Sequence, residues 1–115
     1  MIREGQVVVF AFPQTDQKSG KLRPALVLRK LPGKFDDWLI CMVSTQLSNV
    51  TPGFDEVITD RDSDFLQSGL KASSVVRIGR LAVVDRDVLL GSIGNISAER
   101  LHLIKARLSQ WIAGT

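Results

Sequence analysis

The stretch "GKLRPALVLRKLPGKFDDWLICMVSTQ", residues 20–46, holds two apolar runs around a short turn. "RPALVLRK" reads as a strand. Its proline is confined to the strand's start or to an edge, because it has no N–H to give a ladder. The residue before a proline is pushed towards extended geometry, so Arg23 is held in a defined direction. "LPGK" supplies turn residues. "DDWLICMVST", Asp36 to Thr45, is apolar almost throughout, which marks a central strand. Paired through the "KLPGKFDD" hairpin, the two strands bring the start of one beside the end of the other.

The pattern extends in both directions. "QVVVFAF", Gln6 to Phe12, is β-branched and aromatic and therefore a strand, which Pro13 ends. "QTDQKSGK" is a loop. "FDEVIT", Phe54 to Thr59, alternates like a half-buried strand, and "DRDSDFLQSG" is a turn or single helical turn stopped by Gly69. "SSVVRIGRLAVVD", Ser73 to Asp85, is a long extended segment with a bulge or bend expected at Gly79. "RDVLLGSIGNI" is ambiguous. "SAERLHLIKARLSQWIAG" is a helix, with Ser97 as N-cap, Glu99 in the first turn and Gly114 as terminator. Leu101, Ile104, Leu108 and Trp111 share its apolar face. Short strands, frequent turns and one terminal helix predict a mainly β fold with a small α component: a strongly bent antiparallel barrel capped by the helix. Residues 1–115 are expected to form one domain.

Apolar residues make up 44% of the 115-residue chain and charged residues 23%, as in ordinary globular proteins. No apolar run approaches the ~20 residues of a membrane span, and no signal peptide is evident; a cytoplasmic location is expected. The single cysteine, Cys41, precludes an intramolecular disulfide and reads as a small buried hydrophobe. With one histidine, His102, it cannot form a zinc site of the usual kind. The net charge of +3 permits a nucleic-acid partner without requiring one. Lys18, Lys21, Arg23, Arg29, Lys30 and Lys34 concentrate positive charge early in the chain, whereas Asp55, Glu56, Asp60, Asp62 and Asp64 form an acidic segment.

"DRDSDF" imitates the start of a calcium loop, but Phe65 stands where glycine is needed and Lys71 where a bidentate glutamate is needed. It reads as a solvated acidic turn. No phosphate loop or dinucleotide fingerprint occurs. A hydrolytic triad lacks a suitable histidine, and the carboxylates of a two-metal nuclease would not sit in turns.

Two strand-end features remain. Arg23 enters the second strand, and Ser44, Thr45 and Gln46 leave the third. An arginine can fork two donors onto a phosphate and a hydroxyl can add another. Such an anion site requires neither metal nor cofactor. Arg23 is equally able to cover apolar surface with its stem and pair with a surface acid. Ser44 and Thr45 are equally ordinary strand-end residues. Phe12 and Phe35 are expected chiefly in core packing, with base stacking as the alternative.

At these residues the chain resembles the MazF/PemK family of toxin–antitoxin ribonucleases. The likeness runs through "GQVVVFAFPQTD", "GKLRPALVL", "CMVSTQ" and "SVVRIGRLAVVD" to "LIKARL". It implies an SH3-like barrel forming a homodimer, with single-stranded RNA along the dimer groove. It implies metal-independent, sequence-selective cleavage, in which the RNA 2′-hydroxyl attacks the adjacent phosphate. The products would be a 2′,3′-cyclic phosphate and a 5′-hydroxyl. The family arginine falls on Arg23 and its catalytic hydroxyl on Ser44, with Thr45 beside it. Asp16, Gln17, Lys18, Lys21, Gln46 and Arg77 fall where RNA contacts are implied. The implied partners are single-stranded RNA and a cognate antitoxin, with DNA reached only through the antitoxin complex.

Two positions depart from the family pattern. Gly79 stands where some members carry an aspartate base. Lys18 stands where some carry a glutamate, with Asp16 as a displaced substitute. The general base is therefore unassigned. A non-catalytic binding module on the same barrel, such as a CcdB-type gyrase inhibitor, is the alternative.

Overall fold

The structure, a computed structural model, describes residues 1–12 and 21–114. Six strands form one antiparallel sheet: β1 Gln6–Phe12, β2 Lys21–Lys30, β3 Asp37–Ser44, β4 Glu56–Ile58, β5 Ser74–Asp85 and β6 Leu89–Asn95. Their spatial order is β4-β5-β3-β2-β1-β6. The β2–β3 hairpin forms as expected, and β3 lies inside the sheet between β2 and β5. β2 begins at Lys21, earlier than its proline suggests. The β3 ladder starts at Ala25, so Pro24 is paired with β1 alone and stands at a local edge. The ambiguous segment resolves into a short 3-10 turn, Arg86–Val88, followed by β6. The turn is entered through Asp85, whose carboxylate accepts from the Asp87 N–H at 2.8 Å.

Both faces of the inner strands are buried, which accounts for runs such as "ALVL" that do not alternate in polarity. One face carries Val7, Leu26, Leu28, Cys41, Val43, Val76 and Ile78 beneath helix α2, Ala98–Ala113. The other carries Val8, Phe10, Ala25, Val27, Trp38, Ile40 and Leu89. A flat sheet would leave one of these faces in water. Bulges provide the curvature: register shifts occur at Val27/Arg29 between β2 and β3, and twice between β1 and β6. The largest is on β5, where Arg77 opposes Met42 but Leu81 opposes Cys41. Ile78, Gly79 and Arg80 are looped out, at the position where the glycine predicted a bend. The sheet curls into the barrel-like fold expected from the strand pattern, with extents of 32 × 31 × 28 Å.

Helix α2 starts and stops as its sequence dictates. The Ser97 hydroxyl accepts from the Arg100 N–H at 3.2 Å, and Gly114 ends the helix in the left-handed region at φ 78°. Ile104 and Leu108 enter the core, with Leu101 partly buried beside them. Trp111 does not follow them. It is 59% exposed and rests on the Phe54 ring, with centroids 5.8 Å apart. An ion pair between Lys105 and Glu4 ties the helix to the N-terminus. Phe35 is also outside the core: it is 65% exposed at the β2–β3 hairpin tip, under the Lys34 ammonium. No described helix is long and apolar enough to cross a membrane.

The acidic segment departs most from expectation. It is a solvated turn only in part: Asp60, Arg61 and Ser63 are exposed, whereas Asp64 is 3% exposed. The cause is Arg100 of α2, whose five N–H donors are all engaged. Nε and Nη2 grip the two oxygens of Asp64, each at 2.9 Å. Nη2 also donates to Asp62 at 3.0 Å, and Nη1 donates to Glu56 at 2.8 Å and to the Val57 carbonyl at 3.1 Å. Arg107, two turns further along, donates to Glu56 at 3.2 Å and to the carbonyls of Phe54 and Asp55. Two arginines therefore fasten the 54–64 segment to the helix. Buried acids need such partners. The direct bonds from Arg100 hold the Asp64 carboxyl down at about 2.

Candidate functional site

The register brings the proposed catalytic pair to one place. Ala25 opposes Met42, Leu26 opposes Cys41 and Val27 opposes Ile40. Carried two residues beyond the end of that ladder, the same register sets Arg23 across from Ser44. Side chains two residues apart share a face of the sheet. Arg23 therefore projects with Ala25, and Ser44 with Met42. On the flanking strands Arg23 opposes Phe10, Ser44 opposes Val75 and Met42 opposes Arg77. Arg23, Ser44 and Arg77 thus emerge from one face, in two neighbouring rows. That face is the rim of the second core cluster, so rigid packing lies immediately beneath the polar group.

Arg23 is exposed and Ser44 is half-buried. The Ser44 hydroxyl accepts from the Gln46 N–H at 3.0 Å. That bond fixes the oxygen and leaves its own proton for another acceptor. Thr45 and Gln46 are exposed in the turn that follows. Their carbonyls accept from the Leu47 and Asn49 N–H groups, which closes a 3-10 turn over Leu47–Asn49.

Arg77 is held differently. Its Nε lies 3.2 Å from Asp55 Oδ2. Asp55 also accepts from the Thr51 N–H at 2.9 Å and from the Ile78 N–H at 3.1 Å. The carboxylate joins the loop, the bulge and the arginine, and both of its oxygens are held by donors. It is an anchor for Arg77 and not a free base. Asp55 was not among the residues expected at the site. Only its place in the apolar run "FDEVI" hinted at burial.

Asp16, Gln17 and Lys18 lie outside the described residues. Lys21 is described through its backbone alone, opposite Phe12 at the start of β2.

A comparison with family models matches residues 3–112 to the PemK-like, MazF-like toxin of type II toxin–antitoxin system. The chain belongs to this family. Membership agrees with the six-stranded antiparallel sheet and its C-terminal helix, and it carries a cognate antitoxin as partner. No curated protein matches the sequence significantly.

Proposed function

We propose that this PemK-like toxin is a metal-independent, sequence-selective endoribonuclease for single-stranded RNA, acting as a homodimer. Arg23 neutralises the phosphate being attacked. Ser44, assisted by Thr45, donates to an equatorial oxygen as the RNA 2′-hydroxyl gives its proton to solvent and adds to phosphorus. The P–O5′ bond breaks, and the leaving 5′-oxygen takes a proton from water to become the 5′-hydroxyl. The pentavalent transition state gathers negative charge that the ground state lacks, so fixed donors stabilise it preferentially. The observation carrying this reading is the β2–β3 ladder that ends with Ala25 opposite Met42; extended by two residues, its register sets Arg23 across from Ser44. Arg77 and Gln46 extend the polar rim along the RNA, with the basic 18–21 segment as the approach for its backbone.

The test is end-mapping on a long RNA in EDTA. The wild type is expected to leave 2′,3′-cyclic phosphate and 5′-hydroxyl ends at a short recurring sequence. Arg23→Ala is expected to abolish these cuts, and Ser44→Ala to slow them by about 10²–10³. RNA left intact by the wild type across varied sequences defeats the proposal.

One observation favours a second reading. Gly79 provides no carboxylate beside Arg77, and Asp55 is already committed to three donors. A binding module that holds its target without cutting it matches that arrangement. RNA bound but uncut, or DNA breaks that require gyrase, would select it.

A further inference from the structure

Arg107 grips the backbone on both sides of one residue, Asp55. Its Nη1 donates to the Phe54 carbonyl at 3.3 Å, to the Asp55 carbonyl at 3.0 Å and to Glu56 Oε1 at 3.2 Å. The two carbonyls belong to the peptide planes that flank the Asp55 Cα. The Asp55 N–H donates in turn to the Thr51 carbonyl at 2.9 Å. The plane between Phe54 and Asp55 is thus held by its carbonyl and by its N–H. Only two soft dihedrals link successive planes. With both planes fixed, the direction in which the Asp55 side chain leaves the backbone is fixed too.

That direction decides where Arg77 points. Asp55 Oδ2 lies 3.2 Å from Arg77 Nε, and Oδ1 accepts from the Ile78 N–H at 3.1 Å. The carboxylate therefore holds the arginine's side chain and the backbone just after it. With Nε engaged, Nη1 and Nη2 supply the pair of donors that a phosphate can meet. We infer that Arg107 is a positioning residue: acting through Asp55, it sets the direction in which Arg77 meets the RNA strand. This rests on the reading above that Arg77 lies along the RNA. Arg100 does not share the role, because its donors go to Glu56, Val57, Asp62 and Asp64, beyond the planes that flank Asp55. The two arginines also differ in what could replace them. One nitrogen of Arg107 serves all three of its acceptors, and a lysine ammonium carries three donors on one atom.

The test joins a spectroscopic measurement to a kinetic cycle. Arg107→Met removes the donors and keeps the apolar stem, with Arg107→Ala as a second variant and thermal melts to verify folding. In isotope-labelled protein, the magnetic resonance signal of the Arg77 Nε–H is assigned by its loss in Arg77→Lys. It is expected to be sharp and protected from exchange with water in the wild type and in Arg107→Lys, and broadened in Arg107→Met. Cleavage of RNA is followed in the same proteins. Arg107→Met is expected to lower kcat by about 10–100-fold, the scale of a contact displaced by about 1 Å, with KM changed less. Arg107→Lys should keep most of the activity. In a chain already carrying Arg77→Ala, Arg107→Met should lower kcat by less than about twofold, whereas a merely structural loss would be the same in both backgrounds. A folded Arg107→Met with the wild-type signal or kcat would overturn the inference. So would equal losses with and without Arg77, or a lysine variant as impaired as the methionine one. The nuclease reading fails separately, when the wild type leaves RNA intact. An Arg77 signal that still depends on Arg107 would then keep the positioning and remove the nuclease.

Discussion

Asp55 and Arg77 are joined at 3.2 Å where β5 begins to loop out, and the same carboxylate holds the Thr51 and Ile78 N–H groups. Removing one partner of a buried pair leaves the other uncompensated, at a cost of about 3–5 kcal/mol. Asp55→Ala is therefore expected to lower the melting temperature by about 10–20 °C. It should also weaken oligonucleotide binding by releasing Arg77. A melt within a few degrees of wild type would show that the carboxylate is not the anchor of this corner.

Arg100 has a comparable but wider role, because all five of its donors are used. Lysine has three donors from a single point and cannot reproduce the fork onto Asp64. Arg100→Lys is expected to lose most of the stability lost by Arg100→Ala, which is again of the order of 3–5 kcal/mol. Urea unfolding of both variants measures this. A lysine variant that retains wild-type stability would mean that charge alone suffices.

Stability should also depend on acid. Asp64 is held at about 2 in the folded chain, against an ordinary 3.8. Between these values the unfolded chain binds more protons, so stability falls with falling pH in that window. The contribution is complete above about pH 4 and is lost as pH drops through 2. Asp64→Asn should melt lower at neutral pH and show a flatter acid limb. A wild-type acid limb in that variant would assign the effect to other groups.

Two glycines mark the seam between β6 and the short helix α1, Phe65–Ser68. Gly69 takes φ 74°, and a Cβ on it would lie 2.0 Å from the Ile93 carbonyl oxygen. A Cβ on Gly94 would lie 2.2 Å from the Gln67 carbonyl oxygen. Backbone cannot yield as a flexible side chain would. Gly69→Ala and Gly94→Ala are each expected to destabilise by about 1–3 kcal/mol or more. Gly33→Ala, at the open hairpin, has a positive φ but no neighbour to strike and should cost less. Equal losses at all three would remove the packing argument.

Cys41 is fully buried, and burial, with a smaller effect from the Asp55 charge, pushes its thiol up to about 12. The thiolate is the reacting species. Native protein should resist a water-soluble disulfide reagent, and labelling should follow unfolding as denaturant rises. Rapid labelling at neutral pH without denaturant would contradict this burial.

Much of this architecture was legible because local and global signals agree. β-branched runs, Gly69, Ser97 and Gly114 each act within a few residues. Asp64 was misread because its partner lies in the helix, at a sequence separation of 36. An acidic turn and a helical arginine carry no shared local signature. Arg100 and Arg107, two turns apart on one helix, were the available hint. Trp111 lies outside the core because an apolar stripe does not say where the sheet beneath it ends. At the site, the hairpin was enough to bring Arg23 towards Ser44. The aromatic residues were not readable: Phe12 and Phe35 suggested core packing or base stacking, while Phe54 read only as the start of a half-buried strand. Only the three-residue excess in β5 brings Gly79 against the Phe54 ring.

The grip of α2 on the 54–64 segment also bears on how the chain matures during synthesis. Residues 55–64 leave the ribosome well before Arg100 and Arg107. Until the helix arrives, Glu56, Asp62 and Asp64 have no counter-charge and must stay hydrated, and Phe54 has no Trp111 behind it. Folding proceeds broadly from the N-terminus as translation advances, yet the loop before β4 would be fastened only by the last helix described. A nascent toxin would then have its Arg23 and Ser44 strands assembled early and the Asp55–Arg77 corner late, leaving an unfinished surface on the emerging chain.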